Sequence, residues 1–421
     1  MARAGEKAKR ERRTRLTAER PATSAPVQRP STMSAIGIEA EFVVVMDGAP
    51  VRPEDVFGSP RRIVRGPLMH RTGRSYHLPT GSAVYFDTGV IELATPMIEI
   101  DRGCAARAGR SLWESILFLR RELDDWQQCN GHEVRLVGFS THYNVSFDMG
   151  DRADSSRTVE KLAFLLTYLL PAPVMLLAAN RQSTGIGVRP RGNRVEVTAD
   201  FTPDAALMIA TATLVVGIVR AVMSWPSYDL SALAEHDDLP RFRHFAPAPH
   251  SSRKGWVARH TCFPRNPFTA HVDDEPWEIQ SGESMSLREI AGRITKHFWP
   301  AIRRYADPFT LRLIGNVMAG RAPSLLELAD RPPAYESVGT LCAWEDSLFP
   351  EHELPRSRYE RVLIRAIHGD RLHLDGGETY TPTGMRGWSH VIFRRERDRS
   401  KHVFSLDYLL RHLEDWEARS R

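Results

Sequence analysis

Cysteine is scarce in this chain: four residues in 421, at 104, 129, 262 and 342, with no CxxC spacing among them. That argues against a disulfide framework or a zinc site and sets the chain in a reducing, cytoplasmic compartment. Long apolar runs are missing as well. None approaches the ~18 uninterrupted residues of a transmembrane helix. The nearest, 207–225, is broken by Thr211, Thr213, Arg220 and Ser224 and reads as a buried helix, so no membrane is expected among the partners. The first residues lack the apolar core, about 7–15 residues long, of a signal peptide. No internal repeat is visible. Lysine supplies only six of 57 basic residues, a coding bias more than a property of a fold.

What is present starts with a net charge of +5 at neutral pH, and its location matters more than its size. Residues 1–34 hold nine Lys or Arg against three Glu, so 48 basic and 49 acidic residues remain beyond them. The body of the chain is near neutral. A nucleic-acid surface needs its basic face on the fold itself, so nucleic acid is not expected as a partner. The tail is rich in Arg, Ala, Pro and Ser and reads as disordered. Translation is expected to begin at Met33, directly before the first strand.

From residue 35 the pattern is that of an α+β fold. Strands are expected at 35–46, 83–86, 91–95, 134–147 and 194–201. A long amphipathic helix covers 102–128, with Ala105, Leu112, Ile116, Leu119 and Leu123 at helical spacing. Further helices are expected at 159–179, despite Pro171 and Pro173, and from Pro203 to about 224. Helices near 286–304, 307–318 and 405–418 close the chain, and 47–80 reads as an irregular excursion. The expected architecture is an antiparallel sheet with a concave polar face forming the active site and helices on the outer face. Its catalytic core would span 35–240, with a smaller C-terminal portion, 241–421, completing the core and the substrate site.

Four strand segments carry chemistry. In Gly37-Ile38-Glu39-Ala40-Glu41-Phe42 the period of two puts Glu39 and Glu41 on one face. Paired carboxylates in an apolar strand need compensation, such as a hard divalent cation; a solvated polar face would carry the same pattern. Tyr85 and Asp87 likewise share a face, and Glu92 is embedded in apolar neighbours or points outward from an edge. His142, Asn144 and Ser146 line one face opposite Tyr143 and Val145, with His142 either a ligand or a satisfied core histidine. Arg194, Glu196, Thr198 and Asp200 alternate strictly with Val195, Val197 and Ala199, as a half-exposed surface strand also would. Arg181, Arg189 and Arg191 add cations suited to phosphate or carboxylate. The segments 253–256 and 376–380 belong as readily to surface loops as to substrate recognition, and Trp388 can stack on a base or sit in the core.

In order along the chain, these motifs resemble the glutamine-synthetase-like carboxylate–amine ligases, a superfamily that includes glutamate–cysteine ligases and the Pup ligase and deamidase enzymes. The resemblance covers 37–204, and 84–96 resembles the Pup-ligase branch most. It implies that Glu39, Glu41, Tyr85, Glu92, His142 and Glu196 form metal sites, and that Asp87 is the catalytic base. It further implies that Thr95, Asn144 and Arg194 contact nucleotide, Arg194 also steadying the transferred phosphate. Three departures mark a divergent member whose substrate need not be Pup. Ala83 stands where the branch has an Arg, for which Arg74 or Arg181 can substitute. Four residues rather than five separate Asp87 from Glu92, and Thr198 replaces a second Arg.

The implied activity joins a carboxylate donor to an amine acceptor, small molecule or protein side chain, through an acyl phosphate, with ATP and Mg²⁺ (or Mn²⁺) as cofactors. An amide hydrolase or deamidase on the same fold, and a non-catalytic nucleotide-binding relative, are the alternatives.

Overall fold

The structure, a computed structural model, describes residues 34–147, 155–202, 204–250, 255–274, 276–327, 355–374 and 376–419. The basic tail, Pro203, Arg253, Lys254 and Cys342 lie outside them. The fold is α+β.

Twelve strands form one antiparallel sheet among the described residues. They are β1 (Ala35–Met46), β2 (Ala49–Val51), β3 (Met69–Thr72), β4 (Ser75–His77), β5 (Ala83–Asp87), β6 (Val90–Ala94), β7 (Ile98–Glu99), β8 (Val134–Ser146), β9 (Ile186–Pro190), β10 (Arg194–Asp200), β11 (Ala248–Pro249) and β12 (Trp256–Ala258). The spatial order is β11-β12-β9-β10-β8-β1-β6-β5-β4-β3, with β2 and β7 pairing with β1. β1 and β8 therefore lie at the centre, where both neighbours fix a side chain's position.

Alternation sorts the two faces. Ile36, Ile38, Ala40, Phe42 and Val44 of β1, with Ile91, Leu93, Tyr143, Val145, Val195 and Val197, turn to the buried face. The first helix, α1 (Pro53–Val56), is a single short turn; against the buried face lie α2 (Cys104–Asn130), α3 (Val159–Leu169), α4 (Pro171–Ala178) and α5 (Ala205–Met223). The α2 stripe of Ala105, Leu112, Leu119 and Leu123 is buried, and left-handed Gly131 ends the helix. At Pro171 the chain loses an N–H and the i−4 carbonyl is crowded, so the segment expected as one helix is two, bent by 65°. Asp204 caps α5 through the Leu207 amide at 2.8 Å. Among the described residues α5, and the bent α3–α4 pair if taken as one span, are long and apolar enough to cross a membrane, but α5 is buried along its length and packed among α2, α4, α7 (Trp299–Tyr305) and α8 (Pro308–Met318). It is a core helix. With α6 (Leu287–His297), α7 and α8 form a second helical layer.

The C-terminal portion holds more structure than its sequence pattern suggests. After the short hairpin of β13 (Trp277–Glu278) and β14 (Ser284–Met285), a four-stranded antiparallel sheet follows: β15 (Leu372–Leu374), β16 (Glu378–Arg386), β17 (His390–Arg395) and β18 (Lys401–Ser405). With α9 (Arg358–His368), α10 (Leu406–Arg411) and α11 (Leu413–Arg419) it encloses a second core of Leu363, Leu372, Val391, Phe393, Leu409 and Trp416. The expected final helix is thus two, broken near His412. β16 packs on β3, and the Tyr359 amide donates to Glu99 at 3.2 Å. These contacts bring the β16–β17 turn, with Trp388, over one end of the main sheet. The stretch 47–80, expected to be irregular, contributes β2, β3 and β4.

Candidate active site

Directly opposed residues of antiparallel strands project to the same face, so the register alone assembles the site. One row across the sheet reads Tyr85, Glu92, Glu41, Ser140, Asp200. The next reads Ala83, Ala94, Glu39, His142, Thr198, Gly187. A third reads Gly37, Asn144, Glu196, Arg189, and Arg194 pairs with Ser146 beyond it. All four polar stripes of the sequence therefore lie on one face, opposite the helices.

A β-bulge keeps them there. Register shifts between Glu41 and Phe42, where Phe42 opposes Gly138 and Phe139 is the extra residue. The shift changes the parity of β8, so Val137 and Phe139 are exposed on the polar face while Tyr143 and Val145 are in the core. Val137 and Phe139 therefore lie on the opposite face from Val145, although all three are odd-numbered positions of one strand. Gly138 is needed at the bulge, because a Cβ there would lie 1.9 Å from the Phe201 ring.

The side chains meet at hydrogen-bonding distance. His142 Nδ1 lies 3.4 Å from Glu39 and Nε2 3.7 Å from Glu41. Ser140 donates to Glu41 at 2.5 Å and sits 3.1 Å from His142 Nε2. Tyr85 donates to Glu92 in a short bond. Glu39, His142 and Glu196 each offer a donor atom within 4.8 Å of the others. Glu196 also accepts from Arg191 at 2.9 Å and pairs closely with Arg189, and Arg194 donates to Asn144 at 2.7 Å.

Electrostatics follow from this crowding. Burial, and then the Glu39 charge, push Glu92 up to about 8. Burial pushes Tyr85 well above its usual range, and the charges on Glu39 and Glu92 add to it. Burial opposes ionisation of Glu39 too, but the His142 hydrogen bond and charge, with Arg194, hold that carboxyl below its ordinary value. Burial would lower His142, yet Glu39, Glu41 and Glu196 raise it. Crowding of carboxylates thus favours a protonated Glu92. An oxygen-rich set with one imidazole suits a divalent cation such as Mg²⁺ or Mn²⁺, which would relieve the same crowding. The residues present fit such an ion.

A cavity of about 280 Å³ lies beside the carboxylates, lined by Gly37, Glu39, Thr95, Asn144, Arg194 and Trp388, among others. The Thr95 hydroxyl accepts the Ile38 amide at 2.9 Å and so fixes the cavity wall. Arg181 is elsewhere: it donates to the Leu326 carbonyl at 3.2 Å, against the helices. Asp87 shares the face of Tyr85 but lies at the exposed end of β5, bonded to the Thr88 hydroxyl at 2.9 Å.

Two residues not put in the site from sequence complete it. The Arg71 guanidinium stands 5.8 Å from the Tyr85 ring and 4.6 Å from the Trp388 ring, its Nε buried without a hydrogen-bond partner among the described residues. Trp388 stands edge-on to His77, ring centroids 4.9 Å apart, and contributes to the cavity wall. Arg71 comes from β3, two strands from β5, and no sequence spacing ties it to Tyr85.

No protein-family model matches this chain, and no curated protein matches it. Among solved structures it is similar to the complex between the prokaryotic ubiquitin-like protein Pup and its ligase PafA. Identity is 11% over 91% of this chain and 93% of that one, with a TM-score of 0.48. It is also similar to the Pup ligase PafA in complex with ADP, at 10% identity over 87% of this chain and 94% of that one, with a TM-score of 0.41. A likeness at this level matches no individual residue to another.

Proposed function

We propose that the chain is an ATP- and divalent-metal-dependent carboxylate–amine ligase that forms an amide through an acyl phosphate. The observation that carries this reading is the convergence of Glu39, Glu41, Glu92, His142 and Glu196 on one sheet face, beside a cavity that shares Glu39 and is flanked by arginine.

A carboxylate is a poor electrophile, and phosphorylation by ATP makes it reactive. Glu39, Glu41, Glu92, His142 and Glu196, with Tyr85 beside them, would hold Mg²⁺, which would neutralise charge on the triphosphate. Arg194 and Arg71 flank the cavity and stabilise negative charge moving from nucleotide to acyl oxygen. Trp388 offers an aromatic face for the base, while Thr95 and Asn144 hold the wall against which the nucleotide lies. The amine must arrive neutral. Asp87, exposed at the β5–β6 turn on the same face, accepts its proton, and its exposure leaves room for a bulky acceptor.

The test is a coupled assay with purified protein, ATP, Mg²⁺ and pooled amino acids and amines. ADP should form in step with amide product, and Glu41→Ala should abolish both while leaving the circular-dichroism spectrum unchanged. Amide turnover without net ATP consumption would favour the hydrolase instead. Nucleotide binding with no chemistry across the panel would favour the non-catalytic relative.

A further inference from the structure

We propose that His236, Asp238 and His297 form a second metal site, separate from the sheet carboxylates, that takes one transition-metal ion of the Zn²⁺ class. Each offers a donor atom, and the three atoms lie within 4.8 Å of one another. They come from two elements. His236 and Asp238 share a turn closed by the Leu239 amide on the His236 carbonyl at 3.1 Å. His297 is the last residue of α6, and its Nδ1 lies 2.6 Å from Asp238.

Both imidazoles are held in plane by neighbours. His236 stacks on Trp225 with centroids 4.3 Å apart and planes 25° off parallel. His297 stands at 81° to His236 with centroids 5.1 Å apart, and packs edge-on to Phe298. Rotamers fixed in this way lose little freedom when an ion binds. The end of α6 carries the negative pole of the helix dipole, which favours a cation there.

Donor type selects the ion. Two imidazoles and one carboxylate suit Zn²⁺, Ni²⁺ or Cu²⁺, whereas Mg²⁺ favours oxygen-rich sets. Tetrahedral bonds of about 2.0–2.2 Å set ligand atoms roughly 3.3 Å apart. A small opening of the His297–Asp238 pair and a small approach by His236 suffice. Three protein ligands leave one position for water, and Asp238 is exposed enough to admit the ion. Once bound, the ion ties the turn at 236–239 to the end of α6.

The test uses the full, untagged chain stripped of metal. Zn²⁺ is titrated calorimetrically into wild type, Asp238→Asn, His236→Gln and Glu39→Ala, and Cu²⁺ quenching of fluorescence is compared among wild type, Trp225→Phe and His236→Gln. The proposal expects Asp238→Asn and His236→Gln each to lose one equivalent of Zn²⁺, or to bind it at least tenfold more weakly, while Glu39→Ala retains it. Asp238 is exposed, so that variant should fold. Cu²⁺ quenching should shrink in Trp225→Phe and in His236→Gln. Equal Zn²⁺ stoichiometry and affinity in wild type, Asp238→Asn and His236→Gln would overturn it, as would quenching that neither variant alters.

Discussion

Glu92 opposes Glu41 across the ladder, receives the Tyr85 hydroxyl and is nearly fully buried. A side chain so placed is costly to ionise, and burial with the Glu39 charge pushes it up to about 8. His77 shows the opposite case. It is fully buried, its Nδ1 lies 3.3 Å from the Gly81 carbonyl, and burial, with Arg71 nearby, pulls it down to about 3 from an ordinary 6.5. Its folded value is depressed, so the unfolded chain binds the extra proton first as pH falls. Stability from neutral His77 is full above pH ~6.5 and drains away toward pH ~3. At about 1.4 kcal/mol per unit, acidification from pH 7 to pH 5 should cost about 2 kcal/mol through this group alone. Urea midpoints at the two pH values measure it; a slope unchanged in His77→Gln would remove the assignment. Single residues were legible in sequence where strand period exposed them, as for Glu39, Glu41 and Glu196. Arg71 was not, because its role depends on a strand order that local spacing does not encode.

Among the elements, β8 does most to align the site, and its bulge is the device. One extra residue at Phe139 lets Ser140 and His142 face Glu41 and Glu39 while Gly138 nests against Phe201. A methyl group at Gly138 has no room without moving that ring. Gly138→Ala should therefore lower stability by about 1–3 kcal/mol, the usual range for overpacking. In a double-mutant cycle with Phe201→Ala the two costs should be less than additive, since the smaller side chain vacates the contested space. Strict additivity in chemical denaturation would mean that the clash is absorbed elsewhere. The sequence pattern of β8 pointed to a strand and to its polar stripe, but a bulge leaves no local signature beyond a glycine. Likewise the single helix expected across Pro171 is broken there, and the two pieces, α3 and α4, are bent by 65°.

At the scale of the whole molecule, two cores meet along β3, β7 and α9, and the smaller one delivers Trp388 to the cavity at the end of the larger sheet. The four C-terminal strands escaped the sequence reading because β15 is short and the hairpin turns interrupt any long alternation. The carboxylate motifs, by contrast, lie in long central strands whose period survives inspection. That contrast explains why half of the cavity was legible and the aromatic wall was not. The acidic face and this cavity are proposed to bind a metal-bound nucleotide together. Isothermal calorimetry of ADP with Mg²⁺ measures this binding directly, with wild type and Glu92→Gln side by side. A saturable one-to-one heat that needs Mg²⁺ and weakens at least tenfold in Glu92→Gln is the predicted result; no heat, or equal heat with and without Mg²⁺ in both proteins, would contradict it.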